Sequence, residues 1–209
     1  MIRMTLGGGC EFMLHADAAV AQADVKAGLP EFKVGLIPAW GGCTQLLVRC
    51  QRRSGDPADP IDAAKDAFDV LRGARISKTA GEAEDMGLLR RTDRVVPERP
   101  MLLPAARDVA KQLHEQGYVP PKPDTLALSG TDGWNALMSG VGNDREAGRT
   151  NDAEAVVCET LAEIVTGGAD FGEADVRGEA FTLRLEVEAA EKLAKTSYAK
   201  NAVAQLLAR

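Results

Sequence analysis

Three consecutive glycines, Gly7-Gly8-Gly9, follow a short strand-like start (Met1 to Leu6) and directly precede Cys10-Glu11. Backbone there can take φ > 0 or let another group approach closely, options closed to most residues with a Cβ. The pattern predicts a strand running into a turn, then a helix from Cys10 to about Asp17. First-turn amides of such a helix lack intrahelical acceptors and point back into the turn. With the positive end of the helix dipole behind them, they can stabilise a negative oxygen. Glu11 falls in that first turn. A glycine turn before an acidic helix start is also ordinary punctuation, so the turn alone leaves both readings open.

A second carboxylate sharpens the case. Glu31 follows Gly28-Leu29-Pro30 in a segment that is otherwise mostly apolar up to Pro38. Among Leu29, Phe32, Val34, Leu36 and Ile37, it either lies exposed at a strand end or sits in a pocket with a raised pKa. Two carboxylates in one site can divide acid and base roles.

Other chemistries are harder to build. The two histidines, His15 and His114, assemble no serine or cysteine triad. There is no G-x-x-x-x-G-K-[ST] loop, and the glycines near 7–9 lack the G-x-G-x-x-G fingerprint. The four cysteines, at 10, 43, 50 and 158, form no C-x-x-C pair and no zinc spacing. They read as reduced thiols, and no metal site is expected. A net charge of −6 argues against nucleic acid as a partner. No apolar run reaches the roughly 20 residues that span a bilayer, and the first residues lack a signal peptide's apolar core. The expected compartment is the cytoplasm.

Along the chain, residues 18–23 read as a small-residue strand, and Lys33 to Ile37 as an extended stretch ending at Pro38. Gly41-Gly42 opens a helix through about Arg53. The polar break Ser54-Gly55-Asp56-Pro57 separates it from a helix over Ile61–Arg72. Thr79 and Glu82 have capping-box spacing, with Gly87 as the helix stop. Leu88–Val96 reads as a strand and Met101–Gln116 as a helix. Residues 117–124 are the candidate linker. Beyond them the pattern predicts helices over 131–140, 150–166 and 174–208, with no strand in 131–209. The last helix carries Phe181, Leu185, Ala189 and Leu193 on one stripe. The expected fold class is α/β over 1–116, followed by a helical region over 125–209.

The stretch GGGCEFMLHADAAVAQADVKAGLPEFKVGLIPAWGGCTQLLVR resembles the enoyl-CoA hydratase (crotonase) superfamily. The resemblance rests on GGGCE, the D-x-x-x-A strand, G-L-P-E, V-G-L-I-P and the glycine pair opening a helix. It weakens but continues through R-I-S-K-T-A-G-E-A-E-D-M-G-L-L and covers roughly 1–115. It implies a partial crotonase-like β-β-α spiral. The helical remainder resembles the tail on hydratase domains of bacterial multifunctional β-oxidation proteins, where a 3-hydroxyacyl-CoA dehydrogenase part precedes the hydratase part.

The family's chemistry adds water to 2-enoyl-CoA thioesters. Carried over, Gly8 matches an oxyanion-hole amide, Glu11 the carboxylate that activates water, and Glu31 the one that protonates C2. Gly7, Pro30, Ala39 and Trp40 are the implied substrate contacts. Ala39-Trp40 departs from the usual Gly-Ala or Gly-Gly and implies a reshaped pocket wall. The family's other oxyanion amide and adenine contacts precede GGGCE, so a fragment that is poorly active alone is expected. Coenzyme A enters as part of the substrate, and NAD only through a dehydrogenase domain elsewhere in a larger protein. The expected partners are an acyl-CoA, and either further copies of the chain or that dehydrogenase part. Double-bond isomerisation, thioester hydrolysis and a non-catalytic helical assembly module are the alternatives.

Overall fold

A computed structural model describes residues 2–53 and 59–208. The polar break expected at 54–57 therefore lies outside the described residues. Strand β1 (Ile2–Leu6) pairs in parallel with β2 (Val20–Gly28), which pairs in parallel with β3 (Arg94–Val96). Helix α1 (Gly8–His15) connects β1 to β2. It starts two residues earlier than the pattern suggests, so Gly8 and Gly9 belong to the helix rather than the turn. The cause is Gly7, whose φ of 56° and ψ of −131° reverse the chain in a single residue.

Residues 33–37 are not one extended stretch. Glu31–Val34 form a 3₁₀ turn closed by Gly35 at φ 72°, whose amide donates to the Phe32 carbonyl. Nor is 88–96 one strand. Gly87, at φ 74°, terminates helix α4 (Ala80–Asp85), and the amides of Leu88 and Leu89 both donate to the Ala83 carbonyl. Both leucines are thereby buried in the core, and only Arg94–Val96 reach the sheet. The capping pair at α4 is offset: the Thr79 hydroxyl accepts from the Glu82 amide, but the Glu82 carboxylate accepts from the Lys78 amide.

Helices α2 (Gly42–Arg52) and α3 (Pro60–Gly73) pack together, with α2 against α1. Asp59 caps α3 through the amides of Ile61 and Asp62, with Pro60 at the first helical position. Helix α5 (Leu102–Glu115) packs on β2 and β3 through Leu102 and Ala105.

Two strands lie where none was expected. Strand β4 (Thr125–Leu128) pairs antiparallel with β5 (Asp175–Gly178). All four residues of β5 are exposed, so the strand carries no apolar alternation for a pattern to detect. Its partner is bound to α2 by Gln51, whose side-chain amide both donates to and accepts from the Ala127 backbone (2.7 and 3.2 Å).

Helix α6 (Gly130–Glu146) packs on α7 (Asp152–Thr166), which has a reciprocal Asn151–Glu154 capping box. The long terminal helix is two: α8 (Glu179–Ala194) and α9 (Ser197–Leu207), the latter capped by Thr196. One buried cluster runs from Cys10 through Leu47, Phe68 and Leu88 to Leu161 and Leu193, joining residues on both sides of 117–124. The four cysteines are buried and unpaired thiols. Among the described residues, no helix is long and apolar enough to cross a membrane, and no cluster could hold a metal ion.

Candidate functional site

The site is built where α1 begins. The Gly7 amide donates to the Gly28 carbonyl at 3.0 Å, locking the turn onto the end of β2. The Cys10 and Glu11 amides both donate to the Gly7 carbonyl, at 2.7 and 3.0 Å. That leaves the amides of Gly8 and Gly9 without an acceptor among the described residues. Free first-turn amides at a helix start suit a developing negative oxygen.

Both predicted glutamates reach this turn from different elements. A Cβ on Gly7 would lie 2.9 Å from Glu31 Oε1, and one on Gly8 would lie 4.0 Å from Glu11 Oε2. The two carboxyl groups therefore flank consecutive glycines, although their residues are twenty apart in sequence. Gly7 is required by its φ, and a Cβ there would also push the Glu31 carboxyl out of place.

Glu11 is 4% exposed. Its Oε1 accepts from the Trp40 amide at 2.7 Å and the Gly42 amide at 3.0 Å. Burial pushes its carboxyl above the usual range, while those two amides and nearby His15 pull the other way. Glu31 is half-buried, and its Oε2 is enclosed without a hydrogen-bond partner. Burial pushes it up to about 7, against the pull of its own backbone amide and with a further push from Glu11. An enclosed oxygen without a partner favours the protonated acid.

The remaining predicted contacts surround this pair. Pro30 opens the 3₁₀ turn that presents Glu31. The Trp40 indole lies 3.6 Å from where a Gly8 Cβ would be, yet the residue is 73% exposed, so the ring shields the glycine turn from one side. Ala39 is half-buried beside it. His15, which assembles no triad, donates from Nε2 to the Trp40 carbonyl at 3.0 Å.

One residue of this neighbourhood escaped the sequence reading. Glu186, from α8, is fully buried. Its Oε2 accepts from the Gly41 amide at 2.7 Å, and its Oε1 from the Thr44 amide and hydroxyl at 2.6 and 2.7 Å. Burial pushes it up to about 7, the Thr44 and Gly41 donors oppose this, and Glu11 adds to it. The buried stripe of α8 is Thr182, Glu186, Ala189 and Leu193, while Phe181 and Leu185 are only half-buried. A carboxylate in line with Ala189 and Leu193 was the signal that could have found it.

Glu31 carries a stability prediction. Its carboxyl is raised in the folded chain, so the folded state holds its proton more tightly than the unfolded state. Its contribution is complete below the ordinary value of 4.5 and is lost as pH rises through about 7. Glu31→Gln should gain roughly 1–2 kcal/mol over wild type at pH 8, with partial exposure allowed for. The gain should shrink toward zero near pH 4. Denaturant midpoints of both proteins at the two pH values check this, and an equal difference at both would contradict it.

Residues 4–120 match the family model described as enoyl-CoA hydratase/isomerase. The chain is 34% identical over 188 residues to a protein named probable 3-hydroxyacyl-CoA dehydrogenase from Bacillus subtilis (strain 168), covering 89% of this chain and 23% of that one. It is 32% identical over 214 residues to the fatty acid oxidation complex subunit alpha of Pseudomonas paraeruginosa (strain DSM 24068 / PA7), covering 98% of this chain and 26% of that one. The chain thus spans about a quarter of the length of these relatives.

The crystal structure of carnitinyl-CoA hydratase from Mycobacterium avium is similar with a TM-score of 0.55 at 22% identity, covering 98% of this chain and 56% of that one. An enoyl-CoA hydratase/isomerase structure from Pseudoalteromonas atlantica T6c gives 0.52 at 17%, covering 98% and 58%. At these identities the likeness concerns the fold, which is crotonase-like α/β with a predominantly helical remainder. The matched region contains the triple-glycine turn, both glutamates and the Gly41-Gly42 helix start, and the chain belongs to the enoyl-CoA hydratase/isomerase family.

Proposed function

We propose that this chain supplies the carboxylate pair and one oxyanion amide of a site that hydrates 2-enoyl-CoA thioesters to 3-hydroxyacyl-CoA in fatty-acid β-oxidation. The observation that carries the reading is the placement of two buried or half-buried carboxyl groups beside a helix-start amide that lacks an acceptor. In this reading the Gly8 N–H donates to the thioester oxygen as negative charge develops there. Glu11, whose ionised form is favoured by two backbone amides, takes a proton from water as the water oxygen bonds to C3. Glu31, with a carboxyl poised near neutrality, gives a proton to C2. Both carboxyl groups face the same water.

A crotonase-type hole uses two amides, and the described residues offer the Gly8 side of it. Activity of the chain by itself is therefore expected to be poor, since one missing oxyanion donor costs about 10²–10³ in rate. The names of the relatives support a place beside a 3-hydroxyacyl-CoA dehydrogenase part in a larger protein; a homo-oligomer is the other assembly proposed, and the cytoplasm the proposed compartment. NAD would belong to that part. Here coenzyme A enters as part of the substrate, and Gly7, Pro30, Ala39 and Trp40 are the proposed substrate contacts. We assign residues 1–116 to the hydratase portion and 125–209 to the helical portion, joined by 117–124.

The test uses protein expressed from its whole reading frame, incubated separately with crotonyl-CoA and a 3-enoyl-CoA. Hydration predicts that crotonyl-CoA gains the mass of one water. Conversion of the 3-enoyl-CoA to its 2-enoyl isomer, with crotonyl-CoA unchanged, would replace hydration by isomerisation. Release of free coenzyme A would point to thioester hydrolysis instead.

A further inference from the structure

The loop Trp40-Gly41-Gly42 is held from two sides by carboxylates far apart in the chain. Its amides alternate: Trp40 and Gly42 donate to Glu11, while Gly41 between them donates to Glu186, and Thr44 follows to Glu186. We propose that Glu186 is a positioning residue of the acyl-CoA site, fixing this loop from α8 so that Trp40 and Gly42 present their amides to Glu11. The inference rests on the hydratase reading for its catalytic consequence, but the clamp itself is a matter of geometry.

The physical case begins with what α2 lacks. Its N-cap is Gly41, with no side-chain cap and no acidic residue in the first turn. A capping side chain at this point has nowhere to go. A Cβ on Gly41, at φ 89°, would lie 2.2 Å from His15 Nε2, and one on Gly42 would lie 2.5 Å from Pro38 Cβ. The helix-start amides of Gly42 and Thr44, and the positive end of the dipole, meet instead two carboxylates from other elements, Glu11 of α1 and Glu186 of α8.

Glu186 is fully buried, with both oxygens bonded: Oε2 to Gly41, and Oε1 to the amide and hydroxyl of Thr44. The Thr44 hydroxyl also lies 2.9 Å from that of Thr182, one turn earlier on α8. A buried carboxylate is costly unless its bonds are complete, so this arrangement admits little freedom. The helical region therefore reaches this loop through the Glu186 side chain.

Glu186→Gln tests the clamp. A glutamine has a single acceptor oxygen, so it cannot serve both Gly41 and Thr44, and its NH₂ would face one of those donors. The readout is amide hydrogen exchange in ¹⁵N-labelled protein. A positioning role predicts that exchange at Trp40 and Gly42, whose amides donate to Glu11 and not to Glu186, accelerates by about tenfold or more, the size expected for loss of a hydrogen bond to a charged group. Amides in α6 should stay within about twofold of wild type. Acceleration confined to Gly41 and Thr44 would make Glu186 a local cap and overturn the proposal.

If Glu186→Gln does not fold, Thr44→Val carries the same comparison. It keeps the Thr44 amide bond and removes only the hydroxyl, and about threefold acceleration at Trp40 and Gly42 is expected. In parallel, Glu186→Gln should lower kcat by about tenfold with KM within about twofold. Should wild type show no turnover while the exchange pattern holds, the hydratase reading fails and the clamp stands. The reverse result, normal exchange with intact wild-type turnover, removes the clamp and leaves the hydratase reading.

Discussion

Glu11→Gln should abolish most turnover while leaving the fold in place. The wild-type Oε1 accepts from Trp40 and Gly42, and a glutamine oxygen can take over both bonds. The Oε2 that faces the Gly8 turn is replaced by an NH₂ group, which cannot accept a proton from water. General base catalysis is worth typically about 10²–10⁴ in rate, so kcat should fall by about 10³-fold. The melting temperature should change by only a few degrees, since the variant also removes a buried charge. Glu11→Ala makes the contrast: it leaves one buried and one partly buried amide without an acceptor and should cost about 2–4 kcal/mol as well as turnover. Steady-state kinetics on crotonyl-CoA beside thermal melts of both variants separates chemistry from structure. Turnover within tenfold of wild type in a folded Glu11→Gln protein would remove Glu11 as the base.

Gly42→Ala is expected to damage structure and site together. The new Cβ would fall 2.5 Å from Pro38 Cβ and 2.8 Å from Glu11 Oε1. Pro38 is buried, and Glu11 is held by the same loop, so neither neighbour yields easily. Overpacking of this kind costs about 1–3 kcal/mol, and the displaced carboxylate should take turnover with it. Gly140→Ala supplies the control. Gly140 lies inside α6 with open space where a Cβ would go, so alanine there should gain about 0.5–1 kcal/mol. Denaturant unfolding of the pair should give shifts of opposite sign. A Gly42→Ala protein as stable and active as wild type would mean that the loop is far looser than its bonds indicate.

The site was legible wherever a local rule forced a residue type. Gly7 needs a positive φ, and Glu11 follows in the first turn of the helix, so strand, turn and acidic start could be read together. Glu31 announced itself as a charge in an apolar run, though the extended stretch expected just after it, over 33–37, begins inside a 3₁₀ turn. That error has a clear source: Gly35 at φ 72° ends the turn by taking bonds the pattern cannot show. Leu88 and Leu89 looked like strand residues because they are apolar and consecutive, yet they bury through the helix stop at Gly87. Strand β5 had no apolar face at all and depends on its pairing with β4. Glu186 was hidden for a different reason. Its partners, Gly41 and Thr44, lie more than 140 residues away, and only tertiary packing of α8 against α2 brings them together.

The most direct measurement is a crystal structure of the protein, expressed from its whole reading frame, with a bound 3-hydroxyacyl-CoA. The account predicts the thioester oxygen within hydrogen-bond distance of the Gly8 nitrogen, with the carboxyl groups of Glu11 and Glu31 facing C3 and C2. A thioester bound elsewhere, with the Gly8 amide facing only water and the two carboxyl groups turned away from the acyl chain, would contradict it.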